Sequence, residues 1–360
     1  MPEKTIPASA RIIRVGVCGT GPFSFYGLFN SVINNTFREY NNLNMRVTHI
    51  WGDDYRKNYR GSPEYVKRMM DFWNGDKQSP QGLARICGIP NVCGDFHEMV
   101  NDVDAAMIMD FDRAYELSEP FLKRGLPVFL CSPVAVNVEE CEKILDLAEK
   151  NGAAVHTGAY SQSLYENRLR NDFVKRDDIA AFLSMTSLDY YTSYAPDGLD
   201  PLYWLIGPGV RKVALHGWDG SCGYDPNGLP PFTIHLEYEP RGNRPPIQGM
   251  MTCDARAKKS EWYKVYYHDH TVLEGITQTH WGTREHRTHE LTCRDFMMDI
   301  QQVFITNKPI ETRADILSKL RVLIAAYKSA NEGNRPVSVN EVGEYRLPTV
   351  RIEKWNEIPK

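Results

Sequence analysis

Short apolar runs punctuate the first half of the chain at Ile12–Val17, Met45–Trp51, Asp104–Met109, Pro127–Leu130 and Ala153–His156. They are rich in Val, Ile, Met and Ala and are bounded by glycine, proline or charged residues, the pattern of strands buried on both faces. Between the fourth and fifth runs, Cys141, Ile144, Leu145 and Ala148 recur at helical spacing, and Asn151-Gly152 supplies a C-terminal cap. Strand-helix alternation of this kind predicts parallel βαβ units. From Ile179 the texture changes. Ala180–Asp189, Lys212–Leu215, Phe232–Tyr238, Gln248–Cys253 and Trp262–His270 read as strands separated by proline- and glycine-rich turns. Helical periodicity returns over Glu290–Phe304 and Ala314–Ala330. The prediction is an α/β protein. A doubly wound parallel Rossmann domain occupies residues 1–156, and an α+β domain with a large, mostly antiparallel sheet occupies 157–360. Residues 55–80, rich in Arg, Lys, Tyr and Gly, form an insertion after the second strand, helical over Glu64–Trp73.

Composition narrows the function classes. The chain has 360 residues, 42% hydrophobic and 24% charged, with a net charge of −4. That balance gives no electrostatic reason to expect nucleic acid or an anionic membrane as partner. No apolar run approaches the ~20 residues of a membrane span, and Met1–Arg11 lacks the apolar centre of a signal peptide. Eight scattered cysteines without a paired Cys-x-x-Cys ribbon predict reduced thiols and a cytoplasmic location.

The first strand runs into Gly16-Val-Cys-Gly19-Thr20-Gly21-Pro22-Phe23-Ser24, which opens a helix. Gly19 permits a tight turn, Gly21 lets the backbone approach a pyrophosphate, and Ser24 is small enough for close helix–strand packing. The helix N-terminus then offers unpaired N–H groups to phosphate, and Pro22 costs little in a first turn. The second strand ends at Asp53-Asp54, where a carboxylate accepts hydrogen bonds from an adenosine ribose. This favours NAD over NADP, although Arg56 and Lys57 leave room for a 2′-phosphate.

Longer stretches carry a family resemblance. GIPNVCGDFHEMVNDVDAAMIM, FLKRGLPVFLCSPVAVNVEECEKILDLAEKNG and ILSKLRVLIAAYKSANEGNRPVSV resemble motifs of the Gfo/Idh/MocA (glucose-fructose oxidoreductase/inositol dehydrogenase) family. The resemblance implies an NAD(P)-dependent oxidoreductase acting on a sugar, sugar derivative or cyclitol, and oligomers formed through the second sheet. It also marks departures. Where the family has Glu-Lys-Pro, with its lysine beside the nicotinamide, the chain reads Cys131-Ser132-Pro133. Where the family has Asp-x-x-x-His-x-x-Asp, the chain places Ser193, Asp197 and Asp200, and Ala114 replaces a common histidine. A free hydroxyl is a poor base near neutrality, so the base falls to Asp197. Ser132 would donate a hydrogen bond, Tyr160 and Asp200 would line the substrate, and Pro133 would flank the nicotinamide. Tyr160, Tyr191 and Tyr194 are alternative proton carriers.

Loss of the lysine, aspartate and histidine together motivates a second reading, a redox-inactive member that binds a ligand or regulates. A third is a metal-assisted hydrolase or lyase. His268 and His270 on one predicted strand would present both imidazoles to one side, as a zinc or manganese pair requires. The preferred expectation is no metal, with the aromatic-rich face around Trp262, Tyr263, Tyr266 and Tyr267 buried in a subunit contact. Tyr203-Trp204 and Trp218-Asp219 are candidates to line a sugar site.

Overall fold

The computed structural model describes residues 11–19, 43–52, 80–158, 174–186, 199, 202–203, 205–217, 231–254, 262–276 and 286–347. Its first sheet is built on β1 (Ile13–Cys18), whose last four residues are buried. β1 pairs in parallel with β2 (Met45–Trp51) on one side and β4 (Ala105–Ile108) on the other. With β3 (Asn91–Val92), β5 (Val128–Cys131) and β6 (Val155–Gly158) the sheet runs β3-β2-β1-β4-β5-β6. This is the dinucleotide-type order, in which strand order reverses between β1 and β4. β3 escaped the sequence pattern because it is only two exposed residues long.

Helices cover both faces. α1 (Pro80–Cys87) packs near β2 and β3. α2 (Ala114–Lys123) and α3 (Val138–Asn151) lie together, burying Leu117, Phe121, Ile144 and Leu145 against the sheet. α3 starts where Asn137 Oδ1 accepts from the Glu140 amide at 2.7 Å and stops at Gly152, whose φ is 65°. The opposite face, lined by Val15, Val17, Met45 and Phe129, is closed by α4 (His286–Thr306) through Phe296, Met297, Ile300 and Phe304. Asn307 ends that helix with φ 49°, a conformation asparagine tolerates. Its side chain donates to Gly125 O at 3.2 Å and Gly152 O at 2.8 Å and accepts from the Ala154 amide at 2.8 Å. One residue after α4 thereby ties together two loops of the first sheet.

The second sheet runs β12-β11-β7-β10-β9-β8-β13. Its strands are β7 (Ile179–Thr186), β8 (Val210–His216), β9 (Phe232–Tyr238), β10 (Gln248–Cys253), β11 (Trp262–Tyr267), β12 (Val272–Ile276) and β13 (Val337–Ser338). Among the described residues of this sheet only the β10–β7 pair is parallel. One face is deeply buried, with Phe182, Ile234, Met251, Tyr263 and Val265 in the core. A Cβ on Gly249 would fall 2.0 Å from the Phe182 ring, which explains a glycine in mid-strand. α5 (Arg313–Asn331) packs on β8 and begins with a capping box between Thr312 and Asp315.

Two expectations are overturned: Tyr263 and Tyr267, expected in a subunit contact with Trp262 and Tyr266, alternate with them along β11 and are buried in the core face, and the predicted histidine strand is shorter. The strand predicted to reach His270 ends at Tyr267, and residues 268–270 form the hairpin turn into β12. His270 sits at φ 65° and its amide donates to Tyr267 O at 3.1 Å. Strand alternation therefore does not align the two imidazoles. Among the described residues no group of three His, Cys, Asp or Glu side chains could hold a metal ion.

Candidate functional site

The carboxyl ends of β1, β2, β4, β5 and β6 form one edge of the first sheet, and the strand-order reversal opens a crevice there. The backbone turns at Gly19 with φ 90°. Its amide donates to Trp51 O at 2.9 Å, while Cys18 O accepts from the Met109 amide at 2.9 Å, so the turn is pinned to the ends of both neighbouring strands. A Cβ on Gly19 would lie 2.9 Å from Asp110 Cβ and 3.2 Å from the Asp110 amide nitrogen. Only glycine fits this turn, for space and for φ. Gly16, inside β1, serves packing: a Cβ there would meet Met99 Sδ at 2.6 Å. Burial pushes the Cys18 thiol far above the ordinary range, which makes it a packing residue.

Trp51 closes β2, packs on Phe96 at 5.1 Å between ring centroids, and receives the Arg113 guanidinium 5.3 Å from its ring centre. Arg113 belongs to the 3-10 turn Phe111–Arg113 that follows β4. Ala114, at the histidine position of the family motif, is buried at the start of α2.

Farther along the edge, β5 leads into Ser132-Pro133, joined by a cis peptide bond. Ser132 is half-buried and Pro133 buried. A cavity of about 20 Å³ separates Ser132, Pro133 and Thr157 from Leu199, Ile316 and Lys319. It has room for one water. At its rim the Lys319 ammonium pairs with Glu311, their side chains 10% and 9% exposed. His156 Nδ1 stands 3.9 Å from the second Glu311 oxygen. This charged group joins β6, the segment before α5 and α5 itself beside Ser132. Sequence reading missed it. The available signal was a lysine on the same helical face as Ile316, Leu320 and Leu323.

Of the residues singled out from sequence, the structure places Gly16, Gly19, Ser132 and Pro133 along β1 and the carboxyl edge. Thr20, Gly21, Pro22, Phe23, Ser24, Asp53, Asp54, Tyr160, Asp197 and Asp200 lie outside the described residues, as do Tyr191, Ser193, Tyr194, Trp204, Trp218 and Asp219. His268 and His270 lie in the β11–β12 turn of the second sheet. Tyr203 is half-buried, and burial pushes its phenol up to about 12.

The residues present fit a dinucleotide: a glycine-only turn at the strand-order reversal, with the end of β2 on one side and the Ser132-Pro133 turn on the other. Fold and edge together define a two-domain protein with a dinucleotide-type Rossmann sheet. Residues 13–159 match the model of the family described as an oxidoreductase family with an NAD-binding Rossmann fold. Through this domain the chain resembles the Gfo/Idh/MocA family of NAD-binding oxidoreductases. No curated protein matches it significantly by sequence. Solved structures share the fold across both domains. The apo scyllo-inositol dehydrogenase of Lactobacillus casei is 15% identical, with a TM-score of 0.63 over 92% of this chain and 99% of that one. A putative myo-inositol dehydrogenase of Sinorhizobium meliloti is also 15% identical, with a TM-score of 0.63 over 91% and 99%. An Agrobacterium radiobacter oxidoreductase in complex with NAD+, L-tartaric acid and magnesium is 12% identical, with a TM-score of 0.61 over 91% and 99%. No helix among the described residues is long and apolar enough to cross a membrane.

Proposed function

We propose that this protein is an NAD-dependent dehydrogenase of a sugar, sugar derivative or cyclitol. The observation that carries the reading is the Gly19 turn packed on Asp110 where the strand order reverses, a cradle that a side chain would fill. Thr20–Ser24 would hold the diphosphate, Asp53 and Asp54 the adenosine ribose, and Pro133 would flank the nicotinamide. NAD, when bound, supplies the hydride acceptor. The substrate class is supported by the inositol dehydrogenases that share the fold.

The chain's own part is to bind and orient the substrate and to take the hydroxyl proton. Ser132 donates a hydrogen bond, Tyr160 and Asp200 shape the site, and Asp197 takes the proton. A positioned base contributes about 10²–10⁴ in rate. Asp197→Asn is therefore expected to lower turnover at least ~100-fold while NADH affinity, followed by nicotinamide fluorescence, changes little. The assay is reduction of NAD by a panel of inositols and sugars. A mutant with wild-type rate would remove Asp197 from the mechanism. Tight NADH binding without hydride transfer to or from any polyol would favour the redox-inactive reading, which Ser132 at the lysine position motivates.

The open face of the second sheet is assigned to a subunit contact. Leu183, Met185, Met250, Trp262 and Tyr266 are half-exposed on adjacent strands, with Met250 and Lys264 flanking Leu183 in register and Trp262 opposite Met185. An apolar strip of this extent calls for burial by a partner. Sedimentation is expected to show a dimer or larger oligomer. A monomer at micromolar concentration would end this assignment.

A further inference from the structure

The end of β2 carries a second feature besides its acidic residues. β2 and β4 flank β1 on opposite sides, yet the Arg113 guanidinium, arriving from the end of β4, rests 5.3 Å from the ring centre of Trp51, the last residue of β2. The contact therefore spans the end of β1, where the chain turns at Gly19. The guanidinium is held there by Glu116: Nε donates to Oε2 at 2.9 Å and Nη2 to Oε1 at 2.6 Å. Arg113 is 18% exposed and Glu116 55% exposed, so the pair has one face in the protein and one in solvent.

In a sheet of this order the adenosine ribose lies at the end of β2. An arginine fork at that place is the usual partner of a 2′-phosphate, because its planar donors match phosphate oxygens two at a time. Here two of those donors already face a carboxylate in bidentate geometry. A phosphate approaching Arg113 would have to displace Glu116 and would meet its negative charge. Ribose hydroxyls carry no such charge and face no such competition.

We propose that the Arg113–Glu116 pair determines cofactor specificity at the adenosine end. Arg113, resting over Trp51, walls the adenosine site, and Glu116 withholds the guanidinium from a 2′-phosphate, so that NADH is bound in preference to NADPH. The inference rests on reading the crevice as a dinucleotide site.

The test measures the affinities of NADH and NADPH by nicotinamide fluorescence for the full chain and three variants. Glu116→Gln removes the competing charge at a half-exposed position. It is expected to raise the ratio of NADPH to NADH affinity about tenfold or more, the worth of one charge-assisted hydrogen bond. Glu116→Gln combined with Arg113→Leu, which keeps an apolar contact to Trp51, is expected to return the ratio to its wild-type value. Arg113→Leu alone controls for folding and for loss of the wall. An unchanged ratio in Glu116→Gln, with NADH bound by the wild-type chain, overturns this inference alone. A gain that persists in the double variant also overturns it, since it would come from net charge and not from Arg113. Binding of neither dinucleotide by the wild-type chain overturns the dinucleotide reading of the crevice itself, and this inference with it.

Discussion

Gly19→Ala is expected to weaken NADH binding by about 100-fold and to cost roughly 1–3 kcal/mol of stability. Two effects act together. The turn holds φ 90°, where an L side chain is strained, and the new Cβ would meet Asp110 Cβ at 2.9 Å and the Asp110 amide nitrogen at 3.2 Å. Relief requires the chain after β1 to move away from β4. That displaces the start of the following segment, whose amides would face the diphosphate. Each hydrogen bond to a charged group is worth about 1.5–3 kcal/mol, so losing one or two gives the stated loss. Titration of NADH fluorescence, together with urea unfolding, checks both parts. Wild-type affinity in a folded Gly19→Ala protein would show that the turn does not serve dinucleotide binding.

The largest stability effect is expected at the charged group beside Ser132. Lys319→Met leaves the Glu311 carboxylate nearly buried with His156 at 3.9 Å and no ammonium. Breaking one side of a buried pair costs about 3–5 kcal/mol, because the remaining charge has lost both water and partner. Replacing both partners with apolar groups removes that penalty. Lys319→Met with Glu311→Leu is therefore expected to recover at least half of the loss. Thermal or urea unfolding of the two single variants and the double variant gives the coupling directly. Additive losses would show that the two side chains do not act as a pair. The position gives the result functional weight: Lys319 borders the cavity that also touches Ser132, Pro133 and Leu199, so the pair lies beside the carboxyl edge of the first sheet.

Much of this arrangement was legible in the chain itself. Met45–Trp51, Phe232–Tyr238 and Gln248–Cys253 read as strands with the bounds they have, since each is rich in apolar and β-branched residues and set off by turn or charged residues. α3 was equally clear, with its apolar stripe and its Asn-Gly stop. The glycine loop after β1 was visible because a backbone that must turn at positive φ leaves a residue-type signature. β3 was invisible, being two residues held by β2 and not by its own hydrophobicity. The strand extended to His270 failed for a related reason: Val272–Ile276 folds back on Trp262–Tyr267, and polar alternation alone does not mark where a hairpin turns.

What the sequence determined by itself was local: which segments are strands, which helices carry an apolar stripe, and where the backbone needs glycine. These follow from short-range sterics and from the period of the side chains. Only the tertiary structure decided which distant residues meet. Arg113 reaches Trp51 across the end of β1, Asn307 clamps loops more than 150 residues earlier in the chain, and Glu311 stands between Lys319 and His156. Such contacts depend on how the sheets and helices stack, and nothing in the spacing of two residues along the chain encodes the direction in which their side chains converge.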